Sequence, residues 1–343
     1  MNCGRKHSSS PLESPHQGGR YRLDNLCHTL AGAAIVQAGP FRKAPLAMAT
    51  GLIAANLPDI DGVVYFYGDT ADALSFRRGW THGILAMAVL PFALAGAMLA
   101  FDRFVRRKIR PDKPPALWRP LVLLSALGVL SHPLLDFLNT YGVRFLAPFS
   151  WEWFYGDALY IIDPWVWTAL AAGVCLSSWR RRHASQNPER PARIALLLTA
   201  AYAVSMMLSG VVGRLAADRS VAGSERRMVG PVWFKPFRRQ LVLDFGQEYR
   251  YGSVEFRPWP STELSRKVDP KDADDPLARA AAATDRGKKF LSWSRFPFFF
   301  VQREANGGAR VELHDARYPS LDGSWPTTVI AFPAPQMRIG PPK

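Results

Sequence analysis

Ser131-His132-Pro133-Leu134-Leu135-Asp136 is the stretch on which the reading of this chain turns. An apolar run, Leu121 to Leu130, leads straight into it. His132 and Asp136 are four residues apart, so on a helix they share one face. An ionisable pair at the end of an apolar segment of membrane length is costly to bury and needs a partner. A divalent metal ion suits both groups, because imidazole and carboxylate are Lewis bases for Zn²⁺, Mn²⁺ or Fe. A hydrogen-bonded structural pair is the plainer alternative.

Three clusters of the same kind precede it. Asp24 and His28 repeat the helical spacing, Asp59-Ile60-Asp61 follows Pro58 at a helix exit, and Thr81-His82 stands just before an apolar run. Taken singly, each also reads as a cap, a turn or an interfacial histidine. Membrane topology draws them together. The runs Ile84 to Phe101, Leu117 to Leu138, Ile161 to Trp179 and Ile194 to Gly213 approach the ~20 residues that cross a bilayer. Residues 24–38 and 44–57 are shorter, stopped by Gly39-Pro40 and Pro58, and read as a helical hairpin. Loops 103–119 and 180–193 are rich in Lys and Arg, so the positive-inside rule makes them cytoplasmic. Loop 139–160 holds Arg144 beside Glu152, Asp157 and the aromatics Trp151, Trp153, Phe154 and Tyr155, an interfacial belt that faces out. All four clusters then fall at the outer ends of their segments. Only Lys and Arg entered that topology, so the agreement is independent support for one shared site.

The totals fit this picture. The chain has 343 residues, 43 Lys+Arg against 28 Asp+Glu, and 48% hydrophobic residues that concentrate between 26 and 217. The basic excess flanks apolar runs, which is a membrane pattern and not a nucleic-acid footprint. Cys3, Cys27 and Cys175 are far apart and form no CxxC, so neither a disulfide framework nor a zinc–thiolate site follows. Residues 1–22 are polar and rich in Ser, Pro, Gly and His, with no signal-peptide core, and read as a disordered tail. From 218 the apolar spans stop. Gln240 to Phe245, Gly252 to Phe256, Pro297 to Arg303 and Ala309 to Leu313 read as strands, with Asn306-Gly307-Gly308 as a hairpin turn and a short helix or linker within 269–290. The last span exits outward, so residues 218–332 are expected to form a soluble β-rich domain over the same face, ahead of a Pro-rich tail at 333–343.

Several residues carry two readings. Arg78 suits an anionic substrate group or a lipid headgroup at the surface. Asp163, before Pro164, is a site member or the cap of the next helix. Asn139 orients a ligand or ends a helix. No Gly-rich phosphate loop and no GxSxG elbow occur, which sets serine catalysis aside.

With these residues in view, the chain resembles the bacterial membrane-bound metal-dependent hydrolases, the YdjM-like proteins of the inner membrane. The resemblance rests on Asp24-Asn25-Leu26-Cys27-His28-Thr29, Leu57-Pro58-Asp59-Ile60-Asp61, Arg78-Gly79-Trp80-Thr81-His82, Ser131 to Asp136 with Asn139-Thr140-Tyr141-Gly142, and Asp163-Pro164, and it covers roughly residues 23–215. Where the family pattern has His-Arg-Gly, this chain has Arg77-Arg78-Gly79, and Gly83 replaces the serine after Thr-His. The resemblance implies a multi-pass inner-membrane protein with a helical hydrolase domain over 23–217. The expected architecture is a mainly α-helical polytopic domain of about four spanning helices plus a short hairpin, followed by the β-rich domain. His28, Asp59, Asp61, His82, His132 and Asp136 are the expected ligands of a divalent ion, zinc foremost, with Asp24, Arg78 and Asp163 in catalytic roles. The implied activity is cleavage of an ester or phosphoester of a lipid or lipid-linked substrate by a metal-activated water on the periplasmic side. The alternative is a non-enzymatic membrane protein in which the cluster is structural or transports metal and the β domain binds a partner.

Overall fold

A computed structural model of the chain describes residues 18–318 and 327–333. Most of the expected N-terminal tail (1–17) and nearly all of the Pro-rich C-terminus (334–343) lie outside those residues. Helix α1 (Gly18–Ala38) begins ahead of the expected residue 24 and stops at Gly39-Pro40 as the sequence suggests. It packs on α2 (Ala47–Asn56). The two approach through small residues: a Cβ on Gly51 would come within 2.2 Å of Val36 Cγ2.

Residues 59–82, between the hairpin and the first apolar run of spanning length, are largely helical. A 3-10 helix (Leu57–Phe66) continues α2, and α3 (Thr70–Phe76) follows. The two ends of α3's capping box, Asp69 and Asp72, each accept the other's backbone amide at 3.0 Å. Turns of three residues and a seven-residue helix leave too little length for an amphipathic period to show.

Helix α4 (Ile84–Phe101) passes through a π-helical turn (Asp102–Arg106) into α5 (Arg107–Ile109), and α6 (Trp118–Phe137), α7 (Pro164–Arg182) and α8 (Arg190–Ser220) complete the helical region. Among the described residues three helices are long and apolar enough to cross a membrane: Ile84–Ile109, Trp118–Phe137 and Arg190–Ser220. The third expected span, 161–179, does not reach that standard. Asp163 Oδ1 accepts the amides of Trp165 (3.0 Å) and Val166 (3.2 Å) and Pro164 takes the first helical position, so α7 starts late. Thr168, Ser177, Ser178 and Arg180 to Arg182 dilute the remainder. It still packs tightly on α8, where Ala192 N donates to Ser177 Oγ at 2.9 Å.

Helix α8 runs past the expected end at Gly213 and delivers the chain to an antiparallel sheet of β1 (Arg226–Pro231), β2 (Arg238–Asp244), β3 (Glu248–Glu255) and β4 (Ser261–Pro270), in that spatial order. Helices α9 (Pro276–Ala283) and α10 (Asp285–Trp293) lead to a second antiparallel sheet, β5 (Pro297–Arg303), β6 (Ala309–Asp315) and β7 (Thr328–Phe332). The expected strands are β2, β3, β5 and β6. Strands β1, β4 and β7 escaped because Arg, Glu, Lys, Gly or Pro interrupt their alternation or their length is short. Phe290, Trp293, Phe299, Val311 and Leu313 form the core between α10 and the second sheet. A fully buried aromatic such as Phe290 contributes about 1.5–3 kcal/mol.

The β-rich region stands on loop 139–160. Arg239, 1% exposed, donates to the carbonyls of Asp157 (3.3 Å) and Ala158 (2.8 Å). Trp153 Nε1 donates to Ser292 O at 2.7 Å, and Arg317 Nη1 to Thr140 O at 2.8 Å. The sheets therefore lie beyond the C-terminal end of α6, the end that carries His132 and Asp136.

Candidate metal centre

Local chain geometry aims two imidazoles at one point. In a 3-10 turn the carbonyl of Ala55 would take the amide of residue 58, but that residue is proline and has no N–H. The carbonyl accepts from His132 Nδ1 instead, at 2.7 Å. This fixes the tautomer of His132 and leaves the lone pair of Nε2 facing inward. Close approach of α6 to α2 makes the contact possible: a Cβ on Gly128, one turn before His132, would sit 2.5 Å from Ala54 Cβ. His82 is held in the same manner. Its Nδ1 lies 3.0 Å from Thr81 Oγ1 and 3.4 Å from Asp61 Oδ2, which turns Nε2 the other way.

The inward atoms converge. His82 Nε2 is 3.2 Å and His132 Nε2 3.5 Å from Asp136 Oδ2, and His28 Nε2 is 3.5 Å from Asp136 Oδ1. Asp59 Oδ1 is 3.7 Å from His132 Nε2 and 3.9 Å from His82 Nε2. Ligand atoms on a tetrahedral zinc, with bonds of ~2.0–2.2 Å, stand about 3.3–3.5 Å apart. The observed separations match that scale. Two triads, His28/Asp59/His132 and His82/His132/Asp136, each keep their candidate donor atoms within 4.8 Å of one another. The rings of His28 and His132 stack at 3.7 Å. His82 and His132 are fully buried, and no hydrogen bond satisfies the Nε2 of either. Buried polar atoms in this state are what a bound cation resolves, so the residues present fit a divalent metal.

Asp61 belongs to neither triad. Expected as a ligand, it is a supporting carboxylate: Oδ2 accepts from Thr81 Oγ1 and from Arg78 N, both at 2.8 Å, and Oδ1 faces Arg77 Nε at 3.3 Å. Burial pushes its carboxyl up, but His82 and Arg77 outweigh burial and hold it below the usual range. Asp59 behaves alike: burial opposes ionisation, and His132 and Arg77 more than compensate.

Two arginines complete the cluster, in roles the sequence did not disclose. Arg77, 8% exposed, reaches both Asp59 and Asp61, with Nη2 directly on Asp59 Oδ1. Burial lowers its affinity for the proton, and the two carboxylates raise it well above the usual value. The guanidinium of Arg78, offered above to a substrate anion, is engaged with the protein: Nη2 lies 2.7 Å from Asp136 Oδ1, and Nη1 donates to Asn139 Oδ1 (3.1 Å) and Gly142 O (3.3 Å). Its backbone is left-handed at φ 56, a conformation a non-glycine residue keeps only under external constraint. Asn139 therefore both orients Arg78 and, through Tyr141 N at 2.9 Å, closes the end of α6. The adjacency of Arg77 to Arg78 and the departure at position 77 were the signals available for Arg77.

The side chain of Asp24 lies outside the described residues. Asp163 caps α7, and its Oδ2 accepts from Tyr202 OH at 3.3 Å. It also lines a small pocket with His28, Asp136, Asn139, Leu135 and Val166. Burial holds its carboxyl above the usual range. The pocket adjoins the centre at His28 and Asp136.

Among curated proteins, the chain is 26% identical over 162 residues to an uncharacterized protein, YfhP, of Bacillus subtilis (strain 168), a stretch that covers 45% of this chain and 46% of that one. The chain thus matches about half the length of that relative. No solved structure matches it. A family model described as YdjM inner membrane protein matches residues 23–212, the span that contains every member of the buried His/Asp/Arg cluster. The chain is a multi-pass bacterial membrane protein and belongs to the YdjM inner membrane protein family.

Proposed function

We propose that the protein is a membrane-bound hydrolase that holds one divalent cation, zinc foremost, and cleaves an ester or phosphoester of a lipid or lipid-linked substrate at the periplasmic surface. The observation that carries the reading is the convergence of His28, Asp59, His82, His132 and Asp136 on one point at the end of the spanning helices. A bound cation would supply the charge that acidifies a water and polarises a phosphoryl or acyl oxygen. The protein's own residues do the rest. Ala55 O and Asp61 keep the two imidazoles in the ligating tautomer. Arg78 holds Asp136 in place. Asp163, held in its acid form beyond the usual pH by burial, stands in the pocket where a leaving group takes a proton.

Charge sets the number of cations at one. Three carboxylates against two guanidiniums leave one net negative charge with neutral imidazoles. One divalent ion leaves a single positive charge, whereas two would leave three in a buried space, which desolvation opposes. The same guanidiniums support the competing reading, a metal-free polar network that only holds helices together.

Metal analysis of the purified protein beside a His132→Ala variant decides between them. One equivalent in the wild type and under a tenth in the variant supports the centre, and negligible metal in both sinks it. Hydrolysis of a generic phosphodiester or phospholipid, lost in the variant, separates enzyme from scaffold. Reporter fusions after residues 110 and 150 test the sidedness, and a cytoplasmic signal at 150 overturns it.

A further inference from the structure

The first sheet carries a feature that the metal centre does not use. In an antiparallel sheet of order β1-β2-β3-β4, the β1–β2 and β3–β4 connections emerge at the same end. That end points at the helices: Arg239, second residue of β2, reaches Met206 O and Ser209 Oγ on α8, and Phe234 lies 5.3 Å from Trp165 in the first turn of α7. The two connections read Val232-Trp233-Phe234-Lys235-Pro236-Phe237 and Phe256-Arg257-Pro258-Trp259-Pro260 and contain no acid. Four of their five aromatic side chains are exposed, and the fifth, Phe256, is half-buried. Trp233 is 58% exposed, Phe234 56%, Phe237 51% and Trp259 79%. Phe234 holds a left-handed backbone, φ 62, that a bulky aromatic residue disfavours. The two tips are tied together, since Phe256 N donates to Phe237 O at 3.0 Å and the Arg257 guanidinium covers the Phe237 ring at 3.8 Å.

We infer that these two tips are inserted in the bilayer interface, with Trp233, Phe234, Phe237 and Trp259 at the level of the headgroups and Lys235 and Arg257 against lipid phosphates. Four large aromatics in water would be an exposed patch in need of a partner. Continuity with Trp165, itself 45% exposed where α7 enters the helical region, places the tips at the aromatic belt of the membrane domain. Tryptophan is the side chain that favours this zone, and basic residues beside it meet anionic lipid. The β-rich region would then rest on lipid as well as on loop 139–160, with its long axis fixed relative to the membrane plane. This inference stands apart from the metal centre and needs no catalysis.

The test uses the full chain with its three cysteines replaced by serine, reconstituted in phosphatidylethanolamine/phosphatidylglycerol vesicles. Trp233→Cys, Trp259→Cys and Glu304→Cys each receive an environment-sensitive fluorophore. Glu304 is exposed at the β5–β6 turn, away from the end of that sheet that meets loop 139–160. Lipids spin-labelled near the headgroup should quench the labels at 233 and 259 at least twofold more than the label at 304. Equal quenching at all three positions overturns the inference. So does energy transfer between labelled copies with no lipid quenching, which would mean that a second copy covers the tips. A label-free control needs no cysteine replacement: quenching of tryptophan emission by brominated lipid should be smaller in Trp233→Phe/Trp259→Phe than in wild type, and unchanged quenching counts against lipid contact.

Discussion

Replacing Arg77 by leucine should tighten the centre's hold on its single cation, because three carboxylates against one guanidinium leave two negative charges that one divalent ion neutralises. In the wild type this buried guanidinium meets Asp59 and Asp61 together. Removing it leaves two buried carboxylates without their shared positive charge. Breaking a buried ion pair from one side costs about 3–5 kcal/mol, and here a single side chain serves two acids, so the upper part of that range applies to the metal-free protein. The loss is recoverable in a specific way. A cation that takes the guanidinium's place stabilises the folded state by about 2.7 kcal/mol when its free concentration is 100 times its Kd. Leucine covers the stem's apolar contacts but supplies no charge, so a metal ion or a proton must take its place.

Two measurements follow: metal per protein by elemental analysis, and thermal midpoint in detergent with and without added Zn²⁺ or Mn²⁺. The variant should still bind one equivalent, and its midpoint should fall without metal and rise with it by more than the wild type's does. Arg77→Lys keeps one charge with fewer donors, and should retain one equivalent with an intermediate midpoint. If Arg77→Leu folds, shows no larger metal-induced rise in midpoint than the wild type and loses less than about 1 kcal/mol, the guanidinium does not carry the charge balance assigned to it.

Other substitutions separate supporting from ligating roles. Asp61→Asn should weaken metal affinity about 10–100-fold without abolishing it, as for groups that orient a ligating imidazole; isothermal titration checks this, and affinity equal to wild type would return Asp61 to a purely structural role. Asp163→Asn keeps a good helix cap, so metal content should stay at one equivalent while hydrolysis falls about 10²–10⁴-fold. Because burial raises this carboxyl, its acid form persists above the usual range, and wild-type activity should decline as pH rises through that raised value; a rate within twofold of wild type would remove Asp163 from the chemistry. In the β-rich region, burial pushes Asp315 up, but Arg317 outweighs it and holds the carboxyl below its ordinary 3.8. The pair's contribution, about 3–5 kcal/mol against one-sided removal, is present above that value and lost as pH falls below it. Near-ultraviolet circular dichroism between pH 5 and 2 should show this loss, and Asp315→Asn should start less stable and lack the acid transition.

The membrane-length helices and the candidate ligand cluster were legible because each leaves a one-dimensional trace. Apolar length marks the helices, and spacing of four puts His132 with Asp136. What could not be read was which carboxylates face the centre. Asp59 and Asp61 flank one residue in the sequence, yet one joins the triads and the other backs His82, because the 3-10 geometry after Pro58 decides their directions. Arg78 looked like a substrate anchor because a surface arginine and a buried one read alike until Asn139 and Gly142 O are found on its donors. Asp163 allows two readings in the sequence, and in the fold it caps α7, which starts later than the expected span, and also lines the pocket.

The support of Asp136 crosses the boundary of the family match. Arg78 holds Asp136, and Asn139 and Gly142 hold Arg78, all within residues 23–212. The Arg78 guanidinium also lies 4.6 Å over the Tyr141 ring, and Tyr141 packs 5.2 Å from Trp293, which belongs to α10 beyond that match. Trp293 is itself covered by Arg317 at 4.5 Å, and Arg317 donates to Thr140 O, next to Tyr141. The β-rich region thus grips the loop that orients the one arginine in contact with Asp136. Loops of this kind are otherwise among the least stable parts of a fold, and a ligand set needs its supports fixed to well under an ångström. Docking a folded region onto loop 139–160 rigidifies Arg78 without placing another charged group in the centre. On that reasoning the β-rich region is part of the geometry of the candidate metal centre, although among the described residues none of its side chains enters it.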